Sequence, residues 1–312
     1  MPHKVLRMFE KQTGIHVNYS TYQSNEALYA KLEADPDAGY DIVFPSSYFV
    51  QRMKKSGLLH KLDLKRLPNV KYDNPQLLDR SFDRGNHYSL PYAWGTTGII
   101  VNRRFYAAHN VVQWQDFWHP QFKDQLLILN DVRDAFGMAL RSLGYSINTR
   151  DPKKIKQAYE RLRALLPNIQ MFNNGATRPT YIDEDAKVGM IYSGDADAAV
   201  KENPSLTYIF PKNQVILTID CVSIVKDAPH LSNAYRFINF IMQPKIAKMI
   251  SKNIRYASPN LAAIKLMSPA LRHNRIINPP QSALKNAQVE ADVGDKATAL
   301  YMHYWELLKL GA

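Results

Sequence analysis

The chain has one cysteine, Cys221, in 312 residues. That excludes an internal disulfide and any zinc site built on cysteines. It leaves the redox compartment open, because a large secreted protein with its own core can also do without disulfides. Long apolar runs are missing too. The richest, Gly98-Ile99-Ile100-Val101 and residues 237–242, stop far short of the roughly 18 residues a membrane span needs. The opening residues, Met1-Pro2-His3-Lys4-Val5-Leu6-Arg7, lack the apolar stretch of a secretory leader. Glycine-rich phosphate loops are absent, as are HExxH, GxSxG and a P-loop lysine motif. The histidines are scattered, without metal-ligand spacing. The sequence gives an enzyme little support. Its one nucleophile candidate is Cys221 beside Asp220, and no histidine lies close in sequence to activate it. A buried strand cysteine is the plainer reading.

Hydrophobic residues make up 46% of the chain and aromatics 11%, enough for sizeable cores. At roughly 150 residues per domain, the length suggests two lobes. Lys and Arg number 40 against 28 Asp and Glu, leaving a formal charge of +12. Such a balance can mark affinity for nucleic acid or an anionic surface. Here the basic residues come in short pieces (Arg52, Lys54 and Lys55; Lys153, Lys154 and Lys156) with acids between them. There is no long basic run, zinc-finger spacing or RNP-like aromatic motif. Solvated faces account for the charge better, and no nucleic-acid partner is expected.

Strand-like and helix-like pieces alternate along the chain. Residues 16–20 alternate with period two after Gly14, as a strand would. Residues 25–33 read as a helix, with Leu28 and Leu32 four apart. Residues 41–45 read as a short buried strand ended by Pro45, and Ser46 and Ser47 suit a helix N-cap. Two more short strands are residues 126–129 and 188–192. Between them Ile155, Tyr159 and Leu162 mark an amphipathic helix. Residues 215–225 form a long β-branched strand candidate. Ala234, Phe237, Ile238 and Ile241 mark a helix that Pro244 breaks or restarts, and Leu300, Tyr304, Leu307 and Leu308 mark a C-terminal one. This alternation predicts an α/β fold with largely parallel sheets. The expected crossing between lobes is residues 88–97, where Pro91, Gly95 and the aromatics interrupt both patterns.

In open α/β sheets, ligands bind beyond the carboxyl ends of strands. Three such ends carry polar groups: Pro45-Ser46-Ser47-Tyr48, Asn130-Asp131-Val132-Arg133-Asp134 and Tyr192-Ser193-Gly194-Asp195. Asp131 and Asp134 share a helix face by spacing, and an N-cap with a capping-box-like partner is the plainer reading of the pair. Asp220 lies among apolar neighbours. A carboxylate there is partly desolvated, which costs several kcal/mol (roughly) unless a cation or several donors meet it. A ligand cation and a structural arginine or lysine are both open as that partner. Tyr48, Tyr92, Trp94, Tyr192 and Tyr256 are candidate pocket walls or core residues.

With these loops and Asp220 in view, the chain resembles the periplasmic spermidine/putrescine-binding proteins of bacterial ABC importers. The resemblance runs from end to end. It includes Lys11-Gln12-Thr13-Gly14-Ile15, Tyr22-Gln23-Ser24-Asn25-Glu26, Pro45-Ser46-Ser47-Tyr48, Pro91-Tyr92-Ala93-Trp94-Gly95, Leu143-Gly144-Tyr145-Ser146, Val188-Gly189-Met190-Ile191, Tyr256-Ala257-Ser258-Pro259-Asn260 and Asp292-Val293-Gly294. It implies the two-lobed, hinge-closing periplasmic binding-protein (type II) fold with a ligand cleft between the lobes. One lobe would be residues 1–94 with 220–264, and the other 95–219 with 265–312. It implies a monomer that binds polyamine without catalysis or cofactor and delivers it to the permease subunits. It also implies an upstream leader and an opening strand before Met1.

By the same resemblance the ligand residues are Ser46, Tyr48, Asp131, Asp134, Tyr192, Asp220, Tyr256 and Glu290. Four positions depart from the family. Asp134 stands where a glutamate is usual, Tyr192 and Thr218 where tryptophans are, and Glu290 where a glutamine is. These departures keep a second reading open, in which the same fold takes another small cationic or amino compound. A third is a remnant lacking the opening strand.

Overall fold

The computed structural model describes residues 1–22, 24–35 and 39–311. Its strands are β1 (Ile42–Val43), β2 (Leu90–Asn102), β3 (Leu126–Leu129), β4 (Ile169–Asn173), β5 (Val188–Tyr192), β6 (Leu206–Ile209), β7 (Ile216–Ile224) and β8 (Gln288–Val289). The chain divides into two compact units, Met1–Trp94 with Thr218–Asn274 and Gly95–Leu217 with Arg275–Ala312. The family resemblance implied later boundaries at 219/220 and 264/265. The first unit instead runs on to Asn274, and Asn260 anchors the start of its last stretch. Its Oδ1 caps the helix Leu261–Lys265 through Ala263 N (2.8 Å), and its Nδ2 donates to Met242 O (2.7 Å).

The first unit opens with the helix His3–Thr13. Gly14 ends it in a left-handed conformation (φ 71°) that costs glycine little. Its buried face, Val5, Leu6 and Phe9, packs on the helix Leu231–Ile241. Phe9 meets Phe237 edge-on at 5.0 Å and Phe240 at 5.3 Å. Burying a side chain like Phe9 stabilises by roughly 1.5–3 kcal/mol. Residues 16–20 form no strand. The Val17 amide is taken by Glu10 Oε1 (2.9 Å), so the alternation there is not matched by a ladder among the described residues.

In the same unit β1 runs antiparallel to β7, pairing Ile42 with Ile224 and Val43 with Ser223. Continued past Pro45, this register sets Ser46 opposite Asp220.

In the second unit β3 lies parallel to both β4 and β5, while β2 runs antiparallel to β5 and β6. The sheets are therefore mixed rather than largely parallel. An antiparallel neighbour needs no crossover helix, so helix–strand alternation could not report it. The crossing expected at 88–97 falls within that range, but inside β2 rather than in an irregular segment. β2 is one 13-residue strand, and the chain passes between units within it, at Trp94/Gly95. The β2/β5 register places Thr97 opposite Tyr192. β3 is buried along its length, and β5 is buried except at Tyr192. The helices Val132–Ser142, Pro152–Arg163 and Asp295–Lys309 complete this core through Phe136, Tyr159, Tyr301 and Trp305.

Candidate functional site

Each unit holds a carboxyl group, one midway along β7 and one in the first turn of the helix Val132–Ser142, that accepts from hydroxyl groups and that no arginine or lysine pairs with among the described residues. In the first unit this is Asp220. Ser46 Oγ donates to its Oδ1 at 2.8 Å. Ser46 stands at the N-cap position of the helix Ser47–Lys55, as its sequence suggests, but its hydroxyl makes no cap bond there. Asn25 fixes it instead. The Ser46 amide donates to Asn25 Oδ1 at 3.0 Å, and Asn25 Nδ2 donates to Ser46 Oγ at 3.2 Å. Burial pushes the Asp220 carboxyl above the ordinary carboxylate range, and the Ser46 hydroxyl pulls it back. Among the described residues no arginine or lysine makes the structural salt bridge that the sequence left open. Tyr48 sits two residues into the helix that follows, its ring edge-on to Phe49 at 4.8 Å. Tyr256 lies before Ala257, which pairs with Trp94, and its carbonyl accepts from Ser251 Oγ at 2.6 Å.

The second unit gathers Asp131, Asp134, Tyr192 and Glu290. Asp131 follows β3 and caps the helix Val132–Ser142. Its Oδ1 accepts from the amides of Arg133 (2.8 Å) and Asp134 (3.0 Å). Asp134 does not reach back to complete a capping box. Its side chain is 4% exposed and turns to the two residues that β2 and β5 set opposite each other. Thr97 Oγ1 donates to Oδ1 and Tyr192 OH donates to Oδ2, each at 2.7 Å. Burial first, and then the Asp131 charge, push the Asp134 carboxyl up to about 7, against the pull of Tyr192, Thr97 and Arg133. The Arg133 guanidinium is turned to Ala291 O (3.1 Å), Ile147 O (3.3 Å) and Asn148 Oδ1 (3.0 Å). Burial holds the Tyr192 phenol well above its ordinary value, helped by the charges of Asp134, Asp131 and Glu290. Glu290 is buried just after β8.

Thr97 and Asn25 were not among the residues the sequence nominated for a role. Both act through partners far along the chain, and nothing in their local pattern marks them. Cys221 is 1% exposed, and burial holds its thiol well above the ordinary value. Among the described residues no group of three His, Cys, Asp or Glu side chains is placed to hold a metal ion. What both clusters can do chemically is accept hydrogen bonds from a cation.

A family model for bacterial extracellular solute-binding proteins matches residues 4–274, and the chain belongs to that family. It is 40% identical over 311 residues to the spermidine/putrescine-binding periplasmic protein of Salmonella typhimurium, covering 100% of this chain and 89% of that protein. The putrescine-binding periplasmic protein SpuD of Pseudomonas aeruginosa is 32% identical, covering 98% of this chain and 88% of that one. Among solved structures, a putative spermidine/putrescine ABC transporter protein from Listeria monocytogenes superposes with a TM-score of 0.93 at 33% identity, over 100% of this chain and 96% of that chain. The fold is thus that of ABC-transporter solute-binding proteins.

Proposed function

We propose that this chain is the polyamine-binding component of an ABC importer. It takes up spermidine or putrescine in the periplasm, without converting it, and hands it to the permease subunits as a monomer. The relatives' functions support the reading. The observation that carries it is the pair of desolvated carboxyl groups, Asp220 met by one hydroxyl and Asp134 by two, and neither paired with an arginine or lysine among the described residues. A buried carboxylate left this way is costly unless a cation reaches it. A polyamine supplies ammonium groups on a methylene chain. Its charge-assisted hydrogen bonds satisfy the acids, and Tyr192 and Tyr256 suit the methylenes and the cation. Both tyrosines, with Ser46, Tyr48, Asp131 and Glu290, complete the proposed ligand set.

Titration calorimetry with spermidine and putrescine tests this directly. Saturable heat is the expected result, and a folded protein that gives none at millimolar ligand refutes the reading. A thermal-shift panel of small amines tests the choice of ligand. If another cationic compound gives a larger shift than either polyamine, the departures at Tyr192 and Glu290 have changed the ligand.

A further inference from the structure

We propose that Asp134 is a proton-exchanging ammonium site: its carboxyl group carries a proton in the free protein and releases it to solvent when a ligand ammonium docks. This rests on the polyamine reading above and adds a regulation to it. The step conserves atoms and charge. The Asp134 O–H bond breaks, the proton passes to water or buffer, and the carboxylate left behind accepts an ammonium N–H; no electrons are transferred.

Geometry makes Asp134 the exchanging group. It is 4% exposed, so its charge has little solvent to stabilise it. Around it stand Asp131 and Arg133 from its own helix, Tyr192 from β5 and Tyr208 from β6, with Glu290 acting on Tyr192 from beyond β8; β2 supplies only the uncharged Thr97. Arg133, the cation among them, spends its guanidinium on Ala291, Ile147 and Asn148. Asp131, three residues away, carries the same sign and opposes a second negative charge. The two hydroxyls favour the ionised form, because both Thr97 and Tyr192 donate to it. When Asp134 is protonated, its own O–H must instead donate to one of those oxygens. A ligand ammonium tips this balance by bringing a positive charge into direct contact with the carboxyl group, closer than that of Arg133. The ligand's amines, like lysine at about 10.4, stay charged in this range, so the proton comes from the protein.

A consequence is that affinity falls with acidity, by up to about tenfold per pH unit below about 7. The test is calorimetry of the full chain with putrescine at about pH 6.5 in two buffers of different ionisation enthalpy. The expected heats differ by an amount corresponding to between about half a proton and one proton released. Asp134→Asn abolishes that release. Tyr192→Phe, which keeps the carboxyl group but removes a donor to its ionised form, moves the pH at which affinity falls upward. Equal heats in the two buffers for the unaltered protein overturn the inference while leaving the polyamine reading standing. Undiminished release from Asp134→Asn, or an unmoved pH profile in Tyr192→Phe, overturns it too. No heat with any polyamine overturns both.

Discussion

Ser46 and Asp220 are 174 positions apart in sequence, yet the serine hydroxyl donates to the carboxylate at 2.8 Å. The antiparallel register of β1 and β7 sets them opposite one another, and Asn25 holds the serine from behind. The hydroxyl offers a hydrogen bond but no charge, so the carboxylate keeps its need for a cation.

Asp220→Asn tests that need. It preserves shape and removes the charge, so polyamine affinity should drop by about 2–3 kcal/mol, roughly 30- to 150-fold. Ser46→Ala removes only the supporting hydroxyl and should cost about 1 kcal/mol, roughly fivefold. Dissociation constants from calorimetry check both, and an unchanged constant for Asp220→Asn counts against its role.

Asp73 in the first unit gives a pH-dependent stability. It is 4% exposed, its Oδ2 is buried without a hydrogen-bond partner, and burial pushes its carboxyl up to about 8. A raised folded value means the folded state holds the proton more tightly than the unfolded chain. The group therefore costs nothing below its ordinary value of 3.8, and an increasing amount as pH rises towards about 8. Asp73→Asn should raise the melting temperature at pH values near 8. The gain should shrink to nothing when melting is followed in acid below 3.8. A gain that is the same at both ends would mean burial of the charge is not its cause.

Gly189→Ala should destabilise the second unit by at least about 2 kcal/mol. A Cβ at that position would strike the Leu127 carbonyl oxygen, lie 2.8 Å from Leu127 N and 2.6 Å from the Tyr181 hydroxyl. Backbone belonging to the parallel β3/β5 pair cannot swing aside as a side-chain tip can. Denaturant melts followed by circular dichroism would show the loss.

Cys221 offers a check on the enzyme reading. Cys221→Ala should retain polyamine binding and lose about 1–2 kcal/mol of stability through lost packing. In the native protein the thiol should stay unreactive to a disulfide reagent until denaturant is added, because it is buried and held in the thiol form.

Much of the scaffold could be read from residue patterns. The apolar run 126–129, the helix marked by Ile155, Tyr159 and Leu162, and the break before Pro244 all stand where the periodicity put them. Asp220 drew notice because a charge in a β-branched run is expensive, and Asp131 because it heads a helix. Residue pattern could not supply register. Thr97 and Tyr192 meet Asp134 because β2 and β5 pair antiparallel at that one alignment, and no local sequence encodes which residues face each other. Residues 88–97 do carry the crossing between units, but their strand character stayed hidden. Proline is tolerated at the start of a strand, so Pro91 does not stop β2 from running through the crossing.

Each unit is assembled from two separated stretches of chain, and this orders events during synthesis. The first helix cannot bury Phe9 until the segment bearing Phe237 and Phe240 has left the ribosome. The first unit is not whole until Asn274, and the second waits for Tyr301 and Trp305 near the end. A nascent chain of this topology therefore stays open for most of its length, and shortening it at the tail strips the second unit of part of its interior.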